Sequence, residues 1–556
     1  MSAMAKNLQT GETAVTVDPV TTAVIGSALS TIVEEMGKAI VRAAYSTNIK
    51  ERQDCSTVIF DRKGRTVAQA ERIPVHLGSL LGIADYVLTH VDLETVRPGD
   101  VFIGNDAHTG GGTHLNDIVF LEPVFFGGEL VAWVTNLAHH SDFVDRGHAH
   151  IYQEGLRIPP IRLYREGVLQ QDMMDLVLLN CQVPGERTND FRAQMAANRL
   201  GVQRYQALCE KYGEPVVAAA SEEIIAYAER KTRAGIATIP DGVYEHACRF
   251  DTPSYDEILD LKVRVEVHGE EITVDLAGNP GQVRAGINMV LTATLATVYF
   301  AVKSLVDPDI PANSGFHRPI HVKAPEGSVF NAVSPAAVYT RTDIGQRLVD
   351  MIYTALSEAI PERICAACTG GGLMTFSGIH PRTGRFYVYN EMCGGSMGGR
   401  ATKDGLDGVQ VHTTNTANIP IEALEYEHPV LVERYELVED SGGPGKWRGG
   451  MTMRREVRVL DHVATVNAGG TNSKVAPWGL FGGHDGRVTR VELGEGVAPL
   501  VNRNGSIAAG QTLAMVASSG GGYGDPKERD RDLVRRDLKE GRISKAAARE
   551  IYGLDV

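Results

Sequence analysis

Residues 101–150 read VFIGNDAHTGGGTHLNDIVFLEPVFFGGELVAWVTNLAHHSDFVDRGHAH. This stretch holds six of the 17 histidines in the chain, so the histidines are clustered here rather than scattered. Aspartates lie among them, and imidazole together with carboxylate is a ligand set of zinc, manganese and iron sites. The stretch therefore predicts both a local fold and a metal site.

The local fold is expected to be a β-hairpin. Residues 118–121 and 129–134 are rich in strand-forming side chains. Gly127 and Gly128 lie between them and suit a tight turn. A hairpin of this kind brings its two outer ends side by side, so residues just before the first strand meet residues just after the second.

Metal ligands are expected where those two ends meet, from His114, Asp117 and His139, with His140 next to them. A single histidine beside a strand is more often a structural residue than a ligand. That interpretation applies to His108, His148 and His150 taken one at a time. Ligands that converge from two strand ends are a stronger indication of a metal site.

Length, charge and cysteine content limit the classes to which this protein can belong. The 556 residues are enough for two or three domains. The net charge of -14 argues against broad nucleic-acid binding, which usually needs a basic face. Seven irregularly spaced cysteines and no signal peptide predict a reducing, cytoplasmic location. Cys365-Ala-Ala-Cys368 is a lone CxxC, which we interpret as two buried thiols.

The pattern along the chain predicts a mixed α/β fold, with large mixed sheets, packed helices and more strands toward the C-terminus. The apolar stretch 289–302 is too short to span a membrane and predicts a buried helix. We expect no membrane association. The predicted divisions are a flexible tail (1–17), an N-terminal metal-site domain (18–240), a middle α/β domain (241–400) and a C-terminal strand-rich domain with terminal helices (401–556).

Further elements surround the predicted site. Asp18-Pro19 predicts a helix start, and residues 191–212 and 215–236 predict a helical hairpin. Glu51 and Asp54 precede a predicted strand, and each is either a solvated charge or a carboxylate directed into the site. Several glycine-rich loops occur without a GxxxxGK[ST] motif, so bends of a large sheet are the preferred interpretation.

Eight motifs in order resemble the hydantoinase B/oxoprolinase family, and the resemblance extends from about Val20 to the C-terminus. The motifs are STNIKERQDCS (46–56), IPVHLGS (73–79), GNDAHTGGGTHLNDI (104–118), NLAHHSD (136–142), EGLRIPPIRLYREG (154–167), FRAQMAANRLG (191–201), PWGLFGG (477–483) and GGGYGDP (520–526). Their number makes the resemblance specific for the family but not for the substrate.

The resemblance implies that two kinds of subunit catalyse successive steps of one reaction. An A-type partner with an actin-like ATPase fold binds ATP and phosphorylates the substrate's carbonyl or enol oxygen, and the B-type subunit completes the chemistry at one divalent metal. Zinc is the first expectation, with manganese and iron as alternatives. We expect an A2B2 or larger heteromer acting on a small cyclic amide.

The resemblance also implies residue roles. In acetone carboxylase-like members the metal is bound by a His, an Asp three residues on and a His after the next hairpin, which match His114, Asp117 and His139. In lactamase-like members the carboxylate of the ERxD motif, here Asp54, also reaches the metal. Here Gln53 and Cys55 depart from the usual ERLDFS. The residues considered for proton transfer are Glu51, His140 and Asp142.

Two activities fit this resemblance. The first is ATP-dependent opening of a hydantoin, 5-oxoproline or lactam ring, and the second is carboxylation of a ketone-derived enol phosphate. Carboxylase alpha subunits are longer than 556 residues, so hydrolysis is the expected activity. A non-catalytic assembly subunit is disfavoured because all four expected ligands are present.

Overall fold

The computed structural model describes residues 15–70, 72–141 and 148–555. Across these ranges the chain has a mixed α/β fold, which confirms the predicted class. Residues 1–14 of the predicted tail and Asp142 lie outside the described residues.

The N-terminal part contains an antiparallel sheet that, among the described residues, has seven strands in the order β2-β1-β5-β4-β3-β6-β7. Asp18 caps the first helix by accepting from the backbone N–H groups of Val20 and Thr21, as its position predicts. The elements are α1 (Pro19–Ala43), α2 (Thr47–Lys50), β1 (Cys55–Asp61), β2 (Thr66–Gln69), α3 (His76–His90), β3 (Val101–Gly104), β4 (Asp117–Phe126), β5 (Glu129–His139), β6 (Ile161–Arg165), β7 (Val168–Leu169), α4 (Gln171–Leu179), α5 (Pro184–Tyr212) and α6 (Glu214–Ile236).

Both faces of this sheet are covered by helices. On one face α1, α5 and α6 pack over Ile59 and Val134, and on the other α3 packs over Phe60 and Trp133. Side chains of a strand alternate between the two faces, so neighbouring residues of one strand pack into different hydrophobic cores. The sheet is thus buried on both sides, and the ends of its strands are the places where polar groups can gather.

The middle part packs helices against a second sheet, with strand order β11-β10-β9-β8 among the described residues. Its elements are β8 (Gly242–Thr252), β9 (Tyr255–His268), β10 (Glu271–Asp275), α7 (Leu291–Val306), α8 (Ser314–His317), β11 (Ile320–Lys323) and α9 (Arg341–Ala355). Helix α7 contains most of the apolar stretch 289–302 and is buried against α3 and α9, as predicted. Within the described ranges, every helix is too short or too polar to cross a bilayer.

The C-terminal part contains two further sheets whose facing sides share one core, with strand orders β13-β12-β16-β18 and β14-β15-β19-β17 in the described residues. Its elements are β12 (Gly372–Ile379), β13 (Phe386–Cys393), α10 (Ile421–Glu427), β14 (Val430–Leu437), β15 (Met453–Val459), β16 (Ala464–Gly470), β17 (Arg490–Leu493), β18 (Asn504–Ile507), β19 (Thr512–Val516), α11 (Arg531–Lys539) and α12 (Lys545–Glu550). The two last helices pack on each other around Val534 and Tyr552.

Glycine-rich loops of the C-terminal part meet backbone to backbone, and we call residues 398–399, 443–450 and 520–522 the glycine junction. Gly399 N donates to Gly521 O at 2.8 Å, and Gly443 N donates to Gly520 O at 2.9 Å. A Cβ added at Gly449 would lie 2.0 Å from Gly520 O. Glycine is therefore required at the junction because the two backbone segments lie too close together for a Cβ atom. This requirement is separate from the bends of a large sheet that the sequence predicts.

Candidate metal centre

The predicted hairpin forms, and its register brings the predicted ligands together. Strands β4 and β5 are joined at Gly127 and Gly128, both with positive φ, and Asp117 is the register partner of His139. His114 lies in the loop before β4, and its ring centroid is 5.0 Å from that of His139. Residues from the start of β4 and from the end of β5 therefore lie side by side at the open end of the hairpin.

His114, Asp117 and His139 form a compact group in which one potential ligand atom of each residue lies within 4.8 Å of the others. His114 Nε2 is 2.9 Å from Asp117 Oδ1. The second ring nitrogen of His114 lies 3.2 Å from the carbonyl oxygen of Tyr339, and donation there leaves Nε2 free to bind a metal. Two imidazoles and one carboxylate fit a divalent transition metal and leave a coordination position for water.

Burial and neighbouring charges set the protonation states that a metal requires. Burial and the guanidinium of Arg341 lower the pKa of His114 to about 3, and burial lowers the pKa of His139. Burial alone raises the pKa of Asp117, but His114 and Arg341 outweigh burial and hold that pKa well below its ordinary value. At neutral pH both imidazoles are therefore neutral and the carboxylate is ionised, as metal ligands must be.

Asp54 lies beside this group. Its Oδ2 is 4.0 Å from His139 Nδ1, and its Oδ1 is 3.4 Å from Nε2 of His76 at the start of α3. Burial raises the pKa of Asp54, but His139 and His76 outweigh burial, so the pKa is lowered and the carboxyl is ionised. Ser56 Oγ lies 2.9 Å from the other ring nitrogen of His76. The structure thus places Asp54 between a predicted ligand and a second histidine.

Two buried arginines line a cleft over these residues. Arg341, at the start of α9, donates to Asp117 Oδ2 at 2.8 Å and to Thr113 Oγ1 at 2.8 Å. Arg52 donates to the carbonyl oxygen of Asn390 at 3.1 Å, and both arginines are 3% exposed. The other lining residues come from the N-terminal part, from the start of α9 and the residues before it, from β12 and β13, and from the loop before α10: Asp54, Ile73, Val75, His76, His114, His139, Tyr339, Thr342, Leu373, Asn390, Met392, Thr414 and Thr416.

The three residues considered for proton transfer lie elsewhere or outside the described residues. His140 follows His139 directly, and its ring lies 2.7 Å from Arg187 Nη1 and 3.0 Å from Gln194 Oε1, both on α5. His140 directly follows the last residue of β5, and its N–H donates to Asn116 O, so it continues the alternation of the strand and faces the opposite side from His139. Glu51 follows α2 and is absent from the described residues that line the cleft.

The prediction from sequence left out Arg341, and it used Arg52 and His76 only as parts of motifs. Arg52 belongs to the ERQD motif and His76 to IPVHLGS, so both carried a local signal. Arg341 is 224 residues from Asp117 in the chain, and no local pattern links them. Only the packing of α9 against the hairpin brings this guanidinium to the site.

The sequence profile of the hydantoinase B/oxoprolinase family matches residues 18–526. The chain belongs to the hydantoinase B/oxoprolinase family. A relative from Pseudomonas sp. (strain NS671), the B-type subunit of a putative D-/L-hydantoinase, is 34% identical and is matched over 97% of this chain and 95% of its own. The resemblance inferred from the eight motifs is confirmed.

Two solved structures of similar shape extend the family comparison. The ATP-dependent caprolactamase from Pseudomonas jessenii is 29% identical with a TM-score of 0.87, and the match covers 97% of each chain. A nucleotide-free acetone carboxylase structure is 17% identical with a TM-score of 0.89, covering 97% of this chain and 80% of that one. At that identity the second likeness shows a shared fold.

Proposed function

We propose that this chain is the metal-dependent B-type subunit of an ATP-dependent cyclic amidohydrolase. It would open a hydantoin, 5-oxoproline or lactam ring after an A-type ATPase partner has phosphorylated the substrate. The observation that carries the proposal is the cluster of His114, Asp117 and His139 beside a cleft lined by Arg52 and Arg341. Relatives named as a hydantoinase and a caprolactamase support the substrate class.

The cluster can hold the metal that would activate water for hydrolysis of a phosphorylated amide. An amide is a poor electrophile because its nitrogen donates electrons into the carbonyl, and phosphorylation of the oxygen removes much of that stabilisation. A divalent cation held by His114, Asp117 and His139 would supply a Lewis acid that lowers the pKa of water, to about 7 at zinc sites. Overall, the ring, ATP and two water molecules yield ADP, inorganic phosphate and a ring-opened carboxylate, in which the former ring nitrogen is an amine for 5-oxoproline or a lactam and part of a ureido group for a hydantoin.

Arg52 fits a role in binding the phosphorylated oxygen. Its guanidinium is buried, and it donates to neutral acceptors, the Asn390 carbonyl and, at 3.5 Å, the Thr416 hydroxyl. Arg52 is also near enough for its charge to contribute to lowering the pKa of Asp54, and its planar guanidinium matches the geometry of phosphate. Arg341 is already paired with Asp117, so in this proposal it positions that ligand.

His76 and Asp54 form the pair that we assign to proton transfer. His76 lines the cleft, and Asp54 Oδ1 lies 3.4 Å from its Nε2. Both ring nitrogens of His76 already have a partner, since Nε2 faces Asp54 and Nδ1 lies 2.9 Å from Ser56 Oγ. In this assignment His76 therefore holds the carboxylate of Asp54, and Asp54 accepts the proton from attacking water and delivers it to the leaving nitrogen. Asp54 is also near enough to His139 to join the ligand set. Glu51, His140 and Asp142 remain predictions from the sequence.

The proposed function is tested by supplying the partner. The chain is co-purified with an A-type subunit and incubated with ATP and hydantoin, 5-oxoproline or caprolactam, while ADP and ring-opened product are measured. We expect ATP-dependent product from at least one ring, none without the partner, and no dependence on bicarbonate. ATP turnover that instead requires bicarbonate and a ketone would establish the carboxylase alternative, to which the shared fold of acetone carboxylase points.

Replacing Arg341 by glutamine is expected to weaken metal binding about 10- to 100-fold, the usual effect of removing a group that orients a ligand. The substitution removes the 2.8 Å contact to Asp117 while keeping a polar side chain at the start of α9. Metal affinity is measured by competition with a chelator. Arg318→Gln is the matched control because Arg318 is exposed and pairs with Glu229 far from the cleft. Equal affinities for the two variants would contradict the positioning role.

A further inference from the structure

A second group of metal-ligating side chains lies inside the core of the middle part, away from the cleft. It joins Asp350 of α9, Cys365 and Cys368 of the CxxC turn, and His412 of the loop before α10. The side chains of Asp350 and His412 are 2% and 4% exposed. Cys365 and Cys368 are likewise buried.

We propose that Asp350, Cys365, Cys368 and His412 form a closed structural zinc site. Ligand atoms of Asp350, Cys368 and His412 lie within 4.8 Å of one another. The sulfur atoms of Cys365 and Cys368 are 3.7 Å apart, and both cysteines are free. Two sulfurs bound to one zinc at about 2.3 Å with tetrahedral angles are about 3.8 Å apart, so this pair already has the required separation.

Further contacts of the group suit a metal site. His412 Nε2 lies 2.8 Å from Asp350 Oδ1, a hydrogen-bond distance that would open to about 3.3 Å when both atoms bind one tetrahedral zinc. The backbone N–H of Gly398 donates to Cys368 Sγ at 3.3 Å, which stabilises a thiolate. A C-x2-C pair completed by residues from elsewhere is a usual arrangement of structural zinc ligands.

Charge balance supports the same assignment. Two thiolates and the Asp350 carboxylate together carry three negative charges in a buried place. A divalent zinc and Arg347, whose Nη1 lies 3.0 Å from Asp350 Oδ2, carry three positive charges. A buried charge is tolerated when it is paired or bound to a metal, so with both thiols ionised and His412 neutral, a divalent cation makes the ligand set and Arg347 a neutral unit.

The proposed zinc site would fix one wall of the cleft. Thr414, two residues after His412, lines the cleft, and Gln346 of α9 donates to its hydroxyl at 2.8 Å. Thr413 accepts through its carbonyl from Val75 N, next to His76. A metal that ties α9, the CxxC turn and this loop together would therefore hold the cleft in shape without contacting substrate.

The test counts metals in the purified full-length chain and identifies their ligands. We expect two metal equivalents by plasma mass spectrometry, and X-ray absorption at the zinc edge should show sulfur neighbours at about 2.3 Å. A His114→Ala, His139→Ala double variant should keep the sulfur-bound zinc and lose the other metal. Cys365→Ser and His412→Gln should each lose the sulfur-bound zinc alone, while Cys209→Ser, at a buried cysteine of α5, should lose neither.

Three results would overturn the second zinc site. Zinc without sulfur neighbours in the unaltered chain, or no zinc at all after refolding with zinc, would overturn the second site even if the variants failed to fold. Cys365 and Cys368 joined as a disulfide in the purified chain would also overturn it. Because the two centres use different residues, loss of sulfur-bound zinc is distinguishable from failure of the catalytic metal proposal.

Discussion

A His114→Ala variant is expected to lose the metal at the hairpin and with it nearly all ATP-dependent amide hydrolysis. Loss of a group that merely orients a ligand costs about 10- to 100-fold, so removal of a ligand should exceed ~100-fold in activity. His114 is 4% exposed and contacts Asp117 at 2.9 Å, so its removal would leave a buried ligand position that only water, a weaker ligand, could fill. Metal content is measured by plasma mass spectrometry beside product formation with the partner subunit.

His321→Ala is the matched control for this variant. His321 is half exposed and pairs with Glu271 on the surface of the second sheet. Its replacement should leave both metal content and hydrolysis at the parental level. Circular dichroism should show that both variants keep their secondary structure. A folded His114→Ala chain with its full metal content would remove His114 from the ligand set.

Gly449→Ala is expected to lower the free energy of unfolding by more than about 3 kcal/mol, although it adds only one methyl group. The new Cβ would lie 2.0 Å from the carbonyl oxygen and 2.6 Å from the carbonyl carbon of Gly520. Overpacking usually costs about 1–3 kcal/mol when side chains can move. Here the obstacle is backbone that is itself hydrogen bonded to Gly443, so relaxation would have to break the glycine junction.

The comparison for Gly449→Ala is Gly185→Ala. Gly185 lies in the first turn of α5, and no atom lies within 4 Å of a Cβ placed there. Alanine at a helical position without a clash should leave stability unchanged or raise it by up to about 1 kcal/mol. Thermal unfolding of the two variants measures the difference. Similar unfolding temperatures would mean that the junction can open without cost.

The hairpin and the meeting of His114, Asp117 and His139 at its open end could be predicted because the information is local. Strand-forming residues on either side of Gly127-Gly128 specify the turn, and the turn specifies which ends meet. The strand alternation that separates His139 from His140 was also readable from the sequence. Because neighbours along a strand face opposite sides, the ring of His140 lies against α5, and its assignment to proton transfer stays a prediction.

The remaining contacts depend on packing between distant segments. Arg341 reaches Asp117 only because α9 packs near the hairpin, and His412 reaches Cys368 only through a loop without regular structure. The sequence around the lone CxxC likewise indicates only two buried thiols, because no local pattern links it to Asp350 or His412. A single sequence does not reveal which residues complete such a group, since the spacing between partners carries no periodic signal.

The turn at Gly127 and Gly128 offers a place to attach a probe. Both glycines are exposed, and nothing lies within 4 Å of a Cβ added at either one. Ten strand residues separate this turn from the end of the hairpin that carries Asp117 and His139, about 33 Å at the usual rise per residue. A short tag or fluorophore inserted between them would report on assembly with the proposed partner from a fixed distance, while the opposite end of the same hairpin stays untouched.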